Sequence, residues 1–177
     1  MKIFLASDHR GFALKNKIKE WLKKWGYEYE DMGAFEFNKD DDYPDFISKA
    51  AEKVSQDPTD SRAIIIGGSG QGEAMVANRY KGVRATVFYG PPFDYRFYYP
   101  RPIGILFAWL GSDLGQVSHE IIKLSREHND ANVLSLGTFF IRNDRSIKRV
   151  VKLWLETPFS GDERHKRRIN KIDSSNI

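Results

Sequence analysis

A doubly wound, three-layer α/β fold around a five-stranded parallel sheet, Rossmann-like and of the flavodoxin kind, is predicted by three features of the sequence. Short apolar runs that do not alternate recur along the chain; helical repeats separate them; and one run opens directly into a glycine-rich loop followed by a helix. At 177 residues the chain has room for one core without covalent staples, so 1–177 is expected to be a single domain.

The elements follow in order. Residues 3–6 form the first apolar run, ended by Ser7-Asp8-His9-Arg10-Gly11. Ile18, Trp21, Leu22 and Trp25 then fall at i, i+3, i+4, i+7 on a helix that Gly26 stops. Residues 27–32 read as a second strand, and Asp45 caps a helix with Ile47, Ala50, Ala51 and Val54 on its apolar face. The β-branched run 63–66 suits a strand buried on both faces, and it leads into Gly67-Gly68-Ser69-Gly70-Gln71-Gly72 and a helix over 73–80. Strands at 83–88 and 132–136 follow, then a helix begun by Asp144 with Ile147, Val150, Val151 and Trp154 inward. Residues 91–117 break this rhythm with 4 of the 7 prolines and 7 of the 24 aromatic residues, and they read as an inserted lid or subunit contact.

Composition excludes several chemistries. There is no cysteine, which removes disulfide scaffolds, thiolate metal sites and thiol nucleophiles. No apolar stretch is long enough to span a bilayer and no signal peptide is evident, so a cytoplasmic chain with no membrane partner is expected. The net charge is only +4, and the densest basic run, 164–171, has 5 basic residues but no interleaved aromatic platform. A nucleic-acid partner is therefore not expected. This run lies in a basic C-terminal tail, 161–177, and reads either as solvated or, on a helix, as a phosphate clamp with Arg164 and Arg168 on one face.

In a doubly wound sheet, ligands bind beyond the carboxyl ends of the strands. Asp8 and His9, the 67–72 loop and the His128-Asn129-Asp130 turn are expected to meet there. The glycine loop can aim several backbone N–H groups at an anion, although its spacing is not that of a P-loop. Each residue also has a plainer explanation. Glu73 in a first helical turn gains roughly 0.3–1 kcal/mol from the helix dipole, Asp8 can cap a helix, and His128 can be a surface residue. Beside an anion hole, however, Glu73 is also what abstraction of a proton next to a carbonyl requires.

The phrases Ser-Asp-His-Arg-Gly-Phe (7–12), Asp-Tyr-Pro-Asp (42–45), Gly-Gly-Ser-Gly-Gln-Gly-Glu (67–73) with Ala77-Asn78, the run from Arg126 to Leu134, and Arg164-His165 with Arg168 resemble the type B ribose-5-phosphate isomerases and the galactose-6-phosphate isomerase subunits. They occur in family order and cover nearly the whole chain outside 91–117. The resemblance implies a sugar-phosphate isomerase that needs no metal or cofactor, working as a homodimer or homotetramer with sites at subunit contacts. It implies that Asp8 and His128 assist ring opening, that His9, Arg164 and Arg168 hold phosphate, that Tyr43 and Asn129 touch substrate, and that Gly68, Gly70 and Gly72, with Ser69 beside them, stabilise an enediolate. Many members carry a cysteine base where Gly67 stands, so this chain resembles the branch using a glutamate, Glu73. A phosphate-binding arginine of the family aligns with Phe139, with Arg142 as a displaced substitute. Ribose 5-phosphate is the expected substrate. A six-carbon sugar phosphate such as allose or galactose 6-phosphate, or a catalytically silent subunit or interaction module of the same fold, is the alternative.

Overall fold

The computed structural model describes residues 1–90, 112–141 and 144–174. In chain order the elements are β1 (Lys2–Ser7), α1 (Phe12–Trp25), β2 (Tyr29–Asp31), α2 (Pro44–Gln56), β3 (Ser61–Gly67), α3 (Gln71–Ala77), β4 (Ala85–Phe88), α4 (Ser112–Asn129), β5 (Val133–Gly137), α5 (Asp144–Glu156) and α6 (Glu163–Ser174). All four strand pairings are parallel and the sheet order is β2-β1-β3-β5-β4. The doubly wound, five-stranded architecture is thus the expected one, with the last two strands exchanged relative to the flavodoxin order. β5 lies between β3 and β4, and its burial shows why: all five of its residues are buried, whereas three of the four in β4 are only half-buried, as befits an edge.

The pleat sorts the strand residues into two cores. Ile3, Leu5, Ile64, Ile66, Leu134 and Leu136 face one way, against Leu14, Ile18 and Leu22 of α1, Ile122 of α4, and Val150, Val151 and Trp154 of α5. Phe4, Ala6, Ala63, Ile65 and Val133 face the other way, against Ile47, Ala50, Ala51 and Val54 of α2 and Ala77 of α3. Gly26 ends α1 in the left-handed region, as the sequence suggests, with its N–H returned to the carbonyls of Leu22 and Lys23.

Three local expectations are corrected. Pro44 is the first residue of α2 and Tyr43 its N-cap, so Asp45 lies inside the first turn, where it meets the dipole but does not cap. The 73–80 helix is instead 71–77, because its first turn begins inside the glycine loop. The basic run is no tail: α6 is a helix that buries His165 and Ile169. Of the 91–117 segment, residues 91–111 lie outside the described residues, and 112–117 begin α4.

One buried charge ties α1 to the loop that leads toward the site. Lys15 is fully buried, and its Nζ donates to Asp31 Oδ1 and to the Ala34 carbonyl at 2.6 Å. Burial pushes the Lys15 pKa down, and Asp31 opposes that shift. Breaking such a pair strands a buried carboxylate, so Lys15→Met is expected to cost about 3 kcal/mol of folding free energy. Urea denaturation checks this, and a loss below about 1 kcal/mol would mean that Lys19, 2.7 Å from Asp31 Oδ2, suffices alone.

Candidate active site

β1 delivers Asp8 and His9 to the carboxyl edge of the sheet. Asp8 Oδ1 accepts the backbone N–H groups of Arg10 at 2.9 Å and Gly11 at 3.1 Å, which turns the chain into α1. Asp8 thus closes the turn ahead of α1 and does not cap the helix, whose N-cap is Gly11 without a side-chain cap bond. Burial pushes the Asp8 pKa up, against the pull of the Gly11 N–H and of His9. Gly11 is obligatory, because a Cβ there would lie 2.5 Å from the Ile66 carbonyl oxygen. His9 Nδ1 sits 2.6 Å from Asp41 Oδ1, which also accepts the His9 backbone N–H at 3.1 Å.

Asp41 was not singled out in the sequence, where it is one of three consecutive aspartates, yet its side chain is only 6% exposed. An acceptor at Nδ1 keeps the ring proton there and leaves Nε2 available. Asp41→Ala is expected to lower kcat/KM about tenfold, the worth of one charge-assisted hydrogen bond. Steady-state kinetics on the variant tests this, and an unchanged kcat/KM would remove Asp41 from the site. The ligand atoms of Asp8, His9 and Asp41 lie within 4.8 Å of one another, a spacing a cation could use. In the structure Asp8 Oδ1, His9 Nδ1 and Asp41 Oδ1 are engaged with backbone N–H groups or with each other, and the buried Asp41 Oδ2 has no hydrogen-bond partner.

The loop after β3 forms the rest of this edge. The Gly67 carbonyl accepts from Thr138 N–H and Oγ1, each at 3.0 Å, the Gly68 carbonyl accepts from Phe139 N–H at 3.0 Å, and Ser135 Oγ donates to the Gly70 carbonyl at 2.7 Å. The loop's carbonyls are thereby turned toward β5 and the turn after it. The first N–H groups of α3 have no intrahelical acceptor, and they begin here. Gly70 takes φ 77° against Gly137 and Ser135, and Gly72 leaves room for the Tyr43 ring, which a Cβ would meet at 2.8 Å. Ser69 Oγ accepts the Gln71 N–H at 3.2 Å, so it shapes the turn as well as standing beside it.

Glu73 is 4% exposed and its Oε2 has no hydrogen-bond partner. Burial raises its pKa and the charge of Asp8 adds to the rise, while its own N–H and that of Gly70 oppose it. Its Oε1 would lie 1.6 Å from a Cβ built on Gly67. The carboxylate thus occupies the space into which a side chain at position 67 would project.

His128, Asn129, Arg164 and Arg168 are not at this edge, contrary to the expectation that one edge gathers every candidate. α4 ends at Asn129, just before β5 begins, and so finishes at the amino edge of the sheet. Arg84, immediately before β4, donates from Nε to the Asn129 carbonyl at 2.9 Å, which fixes that end. There the His128 and His165 rings lie 4.3 Å apart. Burial, His128 and Arg164 hold His165 below its ordinary pKa, with Arg168 adding to the effect and Asp162 opposing it. Five residues of β5 at about 3.3 Å each put roughly 16 Å between the two edges. Arg142 lies outside the described residues.

A buried carboxylate over a loop rich in N–H groups, at the carboxyl edge of a doubly wound sheet, defines a class: enzymes that move a proton at a carbon beside a carbonyl. Residues 3–92 and 116–172 match the family model described as Ribose/Galactose Isomerase. The chain belongs to that family. It is 35% identical over 170 residues to ribose-5-phosphate isomerase B of Mycolicibacterium paratuberculosis, covering 96% of this chain and 88% of that one. The Mycobacterium tuberculosis protein of the same name is 34% identical over 170 residues, covering 96% and 86%. Among solved structures, ribose-5-phosphate isomerase B of Mycoplasma genitalium with bound ribulose-5-phosphate superposes with TM-score 0.78 at 34% identity, covering 98% of this chain and 94% of that one. The Clostridium thermocellum enzyme gives 0.75 at 36%, covering 98% and 96%. The residues between the two matched ranges, 93–115, fall within the aromatic segment noted in the sequence.

Proposed function

We propose that this sugar-phosphate aldose–ketose isomerase interconverts ribose 5-phosphate and ribulose 5-phosphate, with Glu73 carrying the carbon-bound proton. The observation that carries this reading is the Glu73 carboxylate, buried against Gly67 with one oxygen unpartnered. Asp8 and His128 assist opening of the sugar ring. Glu73 takes the proton from C2 of the open aldose, the C–H electrons form the C1–C2 double bond, and the C1 oxygen becomes an anion. The N–H groups of Gly68, Gly70 and Gly72, beside Ser69, face that charge. Transfer of the O2 proton to the C1 oxygen and return of the carbon-bound proton from Glu73 to C1 give the ketose. Tyr43 and Asn129 contact the sugar, and His9, Arg164 and Arg168 its phosphate.

Because the Asp8–Glu73 half and the His128–Arg168 half lie at opposite edges of one chain, the complete site needs a second copy. The carboxyl edge also leaves Phe35, Phe37, Phe139 and Phe140 exposed, and α4 exposes Ile121 and Leu124, apolar surface suited to covering by another protomer. The homodimer is thus the minimal working unit in this reading. A phosphorylated sugar does not cross a bilayer unaided, and a cytoplasmic enzyme fits that substrate. The test is kcat/KM of the purified protein on ribose 5-phosphate against allose and galactose 6-phosphates. Turnover of the pentose alone supports the reading, a hexose preference changes the substrate, and no turnover of any of them points to a silent subunit.

A further inference from the structure

Phe139 stands where the resemblance leads one to expect an arginine, and the structure shows what it touches. It follows the end of β5, its N–H donates to the Gly68 carbonyl at 3.0 Å, and its ring covers Gly68 so closely that a Cβ there would meet it at 2.7 Å. The Arg10 guanidinium lies 5.3 Å from the centre of the same ring. Arg10 is exposed and, among the described residues, makes no ion pair with a carboxylate. The nearby Lys15 ammonium is buried and engaged with Asp31, whereas the Arg10 guanidinium is on the surface. A guanidinium stacked on an aromatic face keeps its fork of N–H donors in plane and open to an oxyanion. Its backbone N–H, bonded to Asp8, places it one residue from the site on the same turn.

We infer that Arg10, braced on Phe139, binds the substrate's phosphate from the protomer that supplies Glu73, opposite the arginines of the second copy. This rests on the sugar-phosphate reading above. The positive charge is moved from the end of β5 to the turn after β1, and the aromatic at position 139 becomes the platform that holds it. Phe139 is then part of the binding apparatus and no sign of a lost activity.

The experiment compares wild type, Arg10→Ala, Arg10→Gln and Arg10→Ala/Phe139→Arg, by steady-state kinetics on ribose 5-phosphate and by calorimetry with inorganic phosphate. The single variants should raise KM and weaken phosphate binding by about tenfold or more, with the loss concentrated in KM, and the double variant should regain most of it. Unchanged KM and phosphate affinity in both single variants would overturn the assignment, as would a loss confined to kcat, which would make Arg10 a support for Asp8 alone. Absence of wild-type turnover would count against the substrate reading, while the phosphate calorimetry would still decide the role of Arg10.

Discussion

Glu73→Gln is expected to lower kcat on ribose 5-phosphate by about a thousandfold, in the range that loss of a general base produces, with KM changed little. Glutamine keeps the shape that fills the space beside Gly67, so the loss reports the missing base and not a collapsed loop. Near-wild-type turnover would move the base elsewhere. Two further signatures follow from the direction of the Glu73 pKa. Burial and Asp8 raise it, so the acid limb of the kcat profile should lie above the ordinary glutamate value of 4.5. The same shift sets the sign for stability. A carboxyl whose folded pKa is raised contributes fully below its unfolded pKa and loses that contribution as pH rises through the folded value. At neutral pH the charged Glu73 therefore destabilises the fold, and Glu73→Gln should melt higher than wild type. That difference should shrink as pH falls through the raised folded value and be gone below the ordinary value of 4.5. Thermal melts across pH check the trend, and a variant less stable at neutral pH would contradict it.

Mixing two inactive variants should restore activity. In the proposed dimer each site takes Glu73 from one copy and His128 from the other. Glu73→Gln and His128→Ala homodimers are each expected to fall at least a hundredfold in kcat. After exchange of subunits, half the dimers are mixed, and each mixed dimer has one site with both native halves. About a quarter of wild-type activity should therefore return. No recovery after confirmed exchange would mean that both residues serve one chain's own site, against the edge-to-edge separation in the fold, or that they never meet.

The parts of the fold that were legible in the sequence are those whose signals are local. The helix stop at Gly26, the buried 63–66 run and the glycine loop each depend on neighbours in sequence. The exchange of β5 and β4 depends on a pairing between segments about seventy residues apart, β3 and β5, and no local residue pattern encodes it. The placement of His128 was within reach. A helix that connects parallel strands must return to the amino edge before the next strand starts, so residues just ahead of Val133 belong at that edge. Asp41 and Arg10 were hidden for another reason: a run of aspartates and a lone turn arginine are ordinary on a surface, and only the partners His9 and Phe139 give them meaning.

The closeness of Glu73 Oε1 to Gly67 also sets what a side chain introduced at position 67 would do. In Gly67→Cys the thiol and the Glu73 carboxylate would compete for one volume, and the carboxylate, at the far end of its side chain, is the group that would have to move. Such a variant is expected to displace the carboxylate proposed as the base before the thiol can replace it. Position 67 thus bears on the proposed chemistry through the room it leaves for Glu73, although it has no side chain of its own.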